Sequence, residues 1–196
     1  MTPFEFILNK LKDSSINDLR QQAYVLATIN HETFGTFKPV LEGYYLGANR
    51  IQKLYNYYQQ HNPKAIRTIF PNGIEPPTYE GRGFVQTTHI FNYRIFGELL
   101  GIDLVKYPDK AMEPDTAWDI TEIGMTKGLF TSHNLNMYFN DKLTDWIGAR
   151  RIINGLDKAE KIAAEAQEYY AKLISQEPID INSMPSKGFD KIEKGI

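Results

Sequence analysis

The sequence of 196 residues contains no cysteine. That excludes a disulfide framework, a thiolate zinc site and a cysteine nucleophile, and with the last the cysteine-dependent amidases and peptidases. Histidine is sparse, and His31, His61, His89 and His133 lack ligand spacing, so no metal and no other cofactor is expected. A helical zinc-peptidase motif starting at His31-Glu32 would need a second histidine at position 35, where Gly35 stands. No Gly-x-Ser-x-Gly turn presents a serine nucleophile. Neither sign of charge dominates: the formal net charge of -2 gives no global attraction to nucleic acid or acidic membranes, and no nucleic-acid partner is expected. No run approaches the roughly 18 apolar residues of a membrane span. The N-terminal stretch MTPFEFILNKLKDSS has neither the basic region nor the small-residue cleavage site of a signal peptide. The expectation is a chain made in the cytoplasm that does not insert into a membrane.

What the sequence does contain is a hydrophobic fraction of 42%, enough for a substantial core in one domain of two lobes. That domain is expected over residues 1–176, with 177–196 losing all periodicity and reading as a C-terminal tail. Aromatics are plentiful, with 12 Tyr and 11 Phe against 2 Trp. Most belong in a core, although tyrosine-rich surfaces also line clefts for sugars or peptides. Residues 3–12 read as a short amphipathic helix. A second helix starts near Ser15 to Asn17 and sets Ile16, Leu19, Ala23, Leu26, Ala27 and Asn30 on one stripe. At about 100° per residue Glu32 falls opposite that stripe, beside Thr28. Gly35 and Pro39 end this helix, and Phe37 to Tyr45 suits a short strand or hairpin around Gly43. Further helices are expected over 48–60, about 89–100, from Pro114 to near Gly128, and about 141–153, with a proline-rich loop at 70–78. The last helix carries Ala159, Ile162, Ala163, Ala166, Tyr169, Tyr170 and Leu173 at helical spacing, and Asp157 with Glu160 suggests a capping box.

Two segments can carry chemistry. Asn30-His31-Glu32-Thr33 is followed ten positions later by Glu42. Cleavage of a glycosidic bond needs two carboxyl groups, one protonated to donate to the leaving oxygen and one to steer a water or attack carbon. Apolar neighbours keep such an acid protonated, and Phe34, Phe37 and Tyr44 are candidates for that surrounding. The second segment is Tyr79-Glu80-Gly81-Arg82-Gly83-Phe84-Val85-Gln86-Thr87-Thr88, followed by Asn92-Tyr93. Glycines flanking an arginine let backbone approach a ligand, and Gln86, Thr88 and Asn92 offer short polar groups of the kind sugar hydroxyls require.

Together the segments His31-Glu32-Thr33, Phe37 and Tyr79-x-Gly81-Arg82-Gly83-x-x-Gln86-x-Thr88-x-x-x-Asn92-Tyr93 resemble glycoside hydrolase family 19. That family holds chitinases and bacteriophage endolysins and belongs to the lysozyme-like superfamily. The resemblance continues through Gly101-Ile102-Asp103-Leu104, Pro108, Ala117, Gly124-Met125, Gly128-Leu129-Phe130-Thr131 and Ala149-Arg150-Arg151-Ile152-Ile153-Asn154-Gly155, and so covers roughly residues 20–174.

The fold it implies is α+β but mainly α, lysozyme-like, with two helical lobes and a small β-hairpin flanking a substrate cleft. The roles it implies are Glu32 as general acid and Glu42 as the base for the attacking water, with inversion at the anomeric centre. Thr88 stands where many chitinases have a serine that helps hold that water. Gln86, Asn92 and Asn154 match sugar-binding positions, and Tyr79, Arg82 and His31 complete the substrate-binding set. Glu80 occupies a place in the Gly-Arg-Gly motif that is often aromatic or basic, and no residue matches the C-terminal arginine that supports the acid in plant chitinases.

The substrate implied is a polysaccharide. Peptidoglycan is the first choice, because the short pattern His-Glu-Thr-Phe-Gly-Thr-Phe-Lys-Pro-Val is similar to bacterial and phage members, and chitin is the second. The expected setting is an endolysin, working as a monomer, that reaches the wall through a phage holin or on a virion. The rival reading is a non-catalytic wall-binding or phage structural module of the same fold.

Overall fold

A computed structural model describes residues 1–176 and residue 179; the tail expected over 177–196 otherwise lies outside the described residues. The elements in chain order are α1 (Pro3–Lys12), α2 (Leu19–Glu32), β1 (Val40–Leu41), α3 (Arg50–His61), α4 (Ile66–Ile69), β2 (Arg82–Gly83), α5 (Ile90–Leu100), α6 (Pro114–Lys127), α7 (Leu135–Tyr138), β3 (Phe139–Asn140), β4 (Leu143–Thr144) and α8 (Ala159–Ser175). The expectation of a mainly helical chain with little β-structure holds. The chain divides into two compact units, one of Met1–Lys38 with residues from Thr121 onward and one of Pro39–Ile120; the division falls within α6.

In the first unit α1 begins with a capping box. The Thr2 hydroxyl accepts from the Glu5 amide while the Glu5 carboxylate accepts from the Thr2 amide, with Pro3 preset for the first turn. It buries Phe4, Ile7 and Leu11, and the Phe4 ring meets Phe37 edge-on and Tyr169 face-on. α2 starts at Asp18, whose carboxylate accepts from the Arg20 amide at 2.8 Å.

The expected one-sided stripe on α2 is corrected. Residues 23–30 are buried without interruption, Thr28 among them, while Leu19 is 38% exposed. A helix buried on every face is a core helix. Glu32 therefore reaches the surface because the helix ends there, and helical phase has little to do with it.

α8 packs along α2, burying Ala159, Ile162, Ala163, Ala166 and Tyr169, and its buried Glu165 accepts from Asn30. The periodicity read for α8 holds, but the capping box does not. Lys158 is the N-cap, in a left-handed conformation and without a side-chain cap bond.

The helix expected over 141–153 is replaced by a β3–β4 hairpin (Phe139 opposite Thr144, Asn140 opposite Leu143) and a 3-10 turn over Gly148–Ile152. Specific side chains select this alternative. Arg20 donates to the Asn140 carbonyl and Thr144 hydroxyl, and Gln21 donates to the Phe139 carbonyl. Asp145 accepts from the Gly148 amide at 2.7 Å, and any Cβ at Gly148 would collide with its carboxylate.

In the second unit β1 pairs antiparallel with β2, Val40 opposite Gly83 and Leu41 opposite Arg82. Of the short strand or hairpin expected within residues 37–45, the strand is present, and its partner comes from the Gly-Arg-Gly segment some forty residues later. Leu54, Ala65, Ile69 and Phe70 form a local core under α3, joined by Tyr55 and Tyr58. The loop expected over 70–78 and the helices expected over 48–60, 89–100 and 114–128 are present within a residue or two.

Candidate active site

Glu32 is the last residue of α2. Immediately beyond it the backbone turns through left-handed conformations at Phe34, Gly35 and Phe37; two of these three positions carry side chains, a costly arrangement that clusters at functional sites. Thr33 locks the turn. Its hydroxyl donates to the Ile29 carbonyl at 2.7 Å and accepts from the Phe37 amide at 3.0 Å.

The apolar surrounding expected for Glu32 is not what this unit supplies. Phe37 is buried against Phe4, Phe34 is 39% exposed, and Tyr44 belongs to the other unit. The partner of Glu32 is Arg150, whose Nη1 donates to Oε1 at 2.8 Å. The guanidinium is nearly all buried and its Nε donates to the Asp157 carbonyl at 3.1 Å, so it is aimed before any ligand arrives. The sequence offered no match for an arginine supporting Glu32, and the structure places Arg150 beside it. The pair Arg150-Arg151 was visible in the sequence, and the signal that separates its members is structural: Arg150 is 3% exposed while Arg151 is exposed.

His31 sits beside Glu32 and is half-buried. Burial holds its pKa below the ordinary imidazole range, with the Glu32 charge opposing and Arg150 assisting. Asn154 is exposed in this same unit; its amide donates to the Arg150 carbonyl at 3.0 Å and its side-chain oxygen accepts from Gly155. The first unit therefore brings together His31, Glu32 and Arg150 with Asn154 on the following turn.

In the second unit Glu42 directly follows β1. Its Oε1 accepts from the Tyr58 hydroxyl at 2.8 Å and its Oε2 from the Gly81 amide at 2.9 Å. The main chain is held as well: the Glu42 amide donates to the Gly81 carbonyl and Arg50 donates to the Glu42 carbonyl, both at 2.8 Å. Tyr58 and Arg50 were not singled out from the sequence; the only hint was the tyrosine-rich character of residues 48–60. Burial, followed by the Glu42 charge, pushes the Tyr58 hydroxyl up, beyond the ordinary phenol range. It stays a proton donor at any physiological pH.

The Gly-Arg-Gly segment is an anchored loop. Arg82 and Thr87 exchange backbone hydrogen bonds, and the Arg82 side chain, only 4% exposed, is fully engaged. It donates to Asp109, to the carbonyls of Thr78 and Glu80, to the Tyr93 hydroxyl and to the Glu80 carboxylate. Glu80 is wholly buried between Arg82 and Arg50, at 3.2 and 2.7 Å. Burial disfavours its charge, but Arg82 and the Arg50 hydrogen bond overcome this and hold its pKa below the usual carboxylate range. An acid at position 80 is thereby explained: its charge is shared between the Arg82 guanidinium of the loop and the Arg50 guanidinium of α3.

Tyr79 is buried too, donating to the Val105 carbonyl at 2.8 Å. Tyr79 and Arg82 thus build the loop, with their polar atoms already committed to protein partners. Gln86, Thr88 and Asn92 are half-buried and form a chain: Gln86 donates to the Val40 carbonyl, Thr88 to the Gln86 carbonyl, and Asn92 to the Thr88 carbonyl. The glycines have distinct reasons. A Cβ on Gly81 would lie 2.7 Å from the Gln86 side-chain oxygen, and Gly83 has φ +90°. Among the described residues no cluster of His, Asp and Glu is arranged to hold a metal ion.

No protein-family model matches the chain. A rice (Oryza sativa subsp. japonica) protein named Chitinase 11 is 52% identical over 40 residues, which is 19% of this chain and 16% of that protein, so the match spans about a sixth of the relative's length. Solved structures match far more of the chain. A bacterial family 19 chitinase shares 19% identity, with 91% of this chain and 88% of that one covered, at a TM-score of 0.51. Chitinase C from Streptomyces griseus HUT6037 shares 21% identity over 84% and 79% of the two chains at 0.53. A glutamate-to-glutamine mutant of a chitinase C shares 18% over 90% and 87%, also at 0.53. The mainly helical architecture with its two small antiparallel strand pairs is the fold of the family 19 chitinases.

Proposed function

We propose that this chain is a glycoside hydrolase that cuts β-1,4 linkages between N-acetylated hexosamines, with Glu32 as general acid and Glu42 as general base. The observation that carries this reading is that each carboxylate is held by donors fixed in the protein: Glu32 by the buried Arg150, Glu42 by the half-buried Tyr58 and the Gly81 amide. An idle surface glutamate needs none of these, because water satisfies it. In the reaction Glu32 gives its proton to the leaving oxygen as the bond from that oxygen to the anomeric carbon breaks. A water forms the new bond to that carbon from the opposite face, its proton passes to Glu42, and the configuration inverts. Arg150 fixes the direction of the acid and steadies the carboxylate left after donation.

Peptidoglycan is the substrate favoured by the short sequence pattern around Glu32. Chitin is the second reading, favoured by the names of the similar proteins. On this reading the wall is reached through a phage-encoded pore or on a virion, and the chain works as a monomer. The test is release of reducing ends from purified peptidoglycan and from chitin oligomers, with mass spectrometry of the products. Wild type should cleave one or both, and Glu32→Gln should be slower by roughly 10²- to 10⁴-fold. Equal release by the two proteins would sink the proposal. Cleaved chitin oligomers beside intact peptidoglycan would move the substrate to chitin, and binding without cleavage of either would leave a non-catalytic wall-binding module.

A further inference from the structure

Tyr58, like Arg50, is a feature of the second unit that no sequence motif singled out. It lies on the third turn of α3, with its ring edge-on to Phe70 and edge-on to Tyr57, and it is part of the packing around the Leu54, Ile69 and Phe70 core. The ring is thus fixed by apolar contacts, and the hydroxyl is carried to the Glu42 carboxylate at 2.8 Å. The opposite carboxylate oxygen is held by a backbone amide that cannot rotate away, since Gly81 immediately precedes β2 and its carbonyl accepts from the Glu42 amide at 2.8 Å. Glu42 is a glutamate with three side-chain torsions, directly after a two-residue strand. Left alone it would sample many rotamers, and a base must hold its water within hydrogen-bond reach.

Resting on the assignment of Glu42 as base, we propose that Tyr58 is a positioning residue for the reaction: its hydroxyl pins one oxygen of Glu42 so that a fixed lone pair faces the attacking water. Arg50 extends the same cradle to the main chain, joining the Glu42 carbonyl to the buried Glu80 carboxylate. The hydroxyl donates to Glu42 throughout and carries no proton to or from the sugar. Its effect is confined to the step in which water loses a proton, so it acts on turnover and leaves binding of the chain unchanged. Tyr57 is the internal control, because it stacks on His61 and its hydroxyl has no bond to Glu42 among the described contacts.

The experiment is a double-mutant cycle on whichever polysaccharide the wild type cleaves, using Tyr58→Phe, Glu42→Ala and the pair together. Tyr58→Phe keeps the ring and its packing, and should lower kcat by roughly tenfold, the loss expected for one hydrogen bond to a charged group, with KM within twofold. Tyr57→Phe should leave both unchanged. With the carboxylate gone there is nothing left to hold, so the double variant should match Glu42→Ala. It should also match it when azide, which needs no base, restores turnover by attacking the anomeric carbon. A purely structural role would slow the double variant further and cut the azide rate too. An inactive Glu42→Ala together with a Tyr58→Phe of undiminished kcat would overturn this proposal alone. Full activity of Glu42→Ala would overturn the base assignment and this proposal with it.

Discussion

The pairing of Glu32 with Arg150 shows how far a single residue can be read from sequence. Glu32 was legible because it sits in a short ordered pattern. Its partner is 118 residues away, and no local rule connects positions at that distance. The basic pair Arg150-Arg151 reads as surface charge until the 3-10 turn buries one member and exposes the other. Arg50 and Tyr58 were hidden for the same reason: each finds Glu42 through tertiary contacts of α3.

Arg150 gives the prediction at this scale. Arg150→Ala removes a charged hydrogen bond from Glu32, a contribution of about 1.5–3 kcal/mol, so kcat should fall by roughly 10- to 150-fold. Arg150→Lys keeps the charge but loses the fork that reaches both Glu32 and the Asp157 carbonyl, and should recover only part of that loss. Steady-state kinetics on a cleavable oligosaccharide decides it. Equal rates for Arg150→Ala and wild type would remove the arginine from the site.

At the scale of elements, the sequence was clearest where one face of a helix meets the core, and α1 and α8 appear where their periodicity placed them. It was misleading where tertiary contacts chose among alternatives. Residues 141–153 have enough helical character to suggest a helix, yet Arg20, Gln21 and Asp145 satisfy a hairpin and a short turn instead. In α2 burial on every face hid the phase on which a stripe argument depends. β1 found its partner in the Gly-Arg-Gly loop because an antiparallel pair needs only register, and nearness in sequence is not required.

Asp18 tests how α2 is held. Its carboxylate accepts from the Arg20 amide and side chain, so Asp18→Ala should cost about 1 kcal/mol through the lost cap, with little added by a partly exposed ion pair. The far end of the helix is fixed separately, by Asn30 on Glu165 and Glu32 on Arg150. Chemical denaturation should therefore register the loss while any kcat measured on the folded protein stays within twofold of wild type. A large fall in kcat at permissive temperature would show that the two ends of α2 are not independent.

At the scale of the whole molecule, the titratable groups whose pKa values folding shifts set how stability responds to acid, and they divide into two stages. His31 in the first unit and His89 in the second both have pKa values pushed down by burial. A base depressed in the folded state contributes its full stability above the unfolded imidazole value of about 6.5 and loses it as pH falls from there towards the folded value. The carboxylates follow. Asp18 is lowered, first by its hydrogen bond to Arg20, and Glu80 is lowered because Arg82 and Arg50 outweigh the opposing effect of burial. A depressed acid contributes fully above its unfolded value, near 4, and that contribution disappears as pH falls through the folded value. Unfolding free energy measured from pH 8 to pH 3 should therefore decline first below about 6.5 and again below about 4. His31→Asn with His89→Asn should flatten the first decline and leave the second. Glu80→Gln should shrink the second and lower stability at neutral pH, since it leaves Arg50 and Arg82 facing an uncharged amide in a buried loop. A double histidine variant that still declines like wild type between pH 7 and 5.5 would show that the two half-buried imidazoles do not govern the upper stage, and would return it to the exposed groups of the surface.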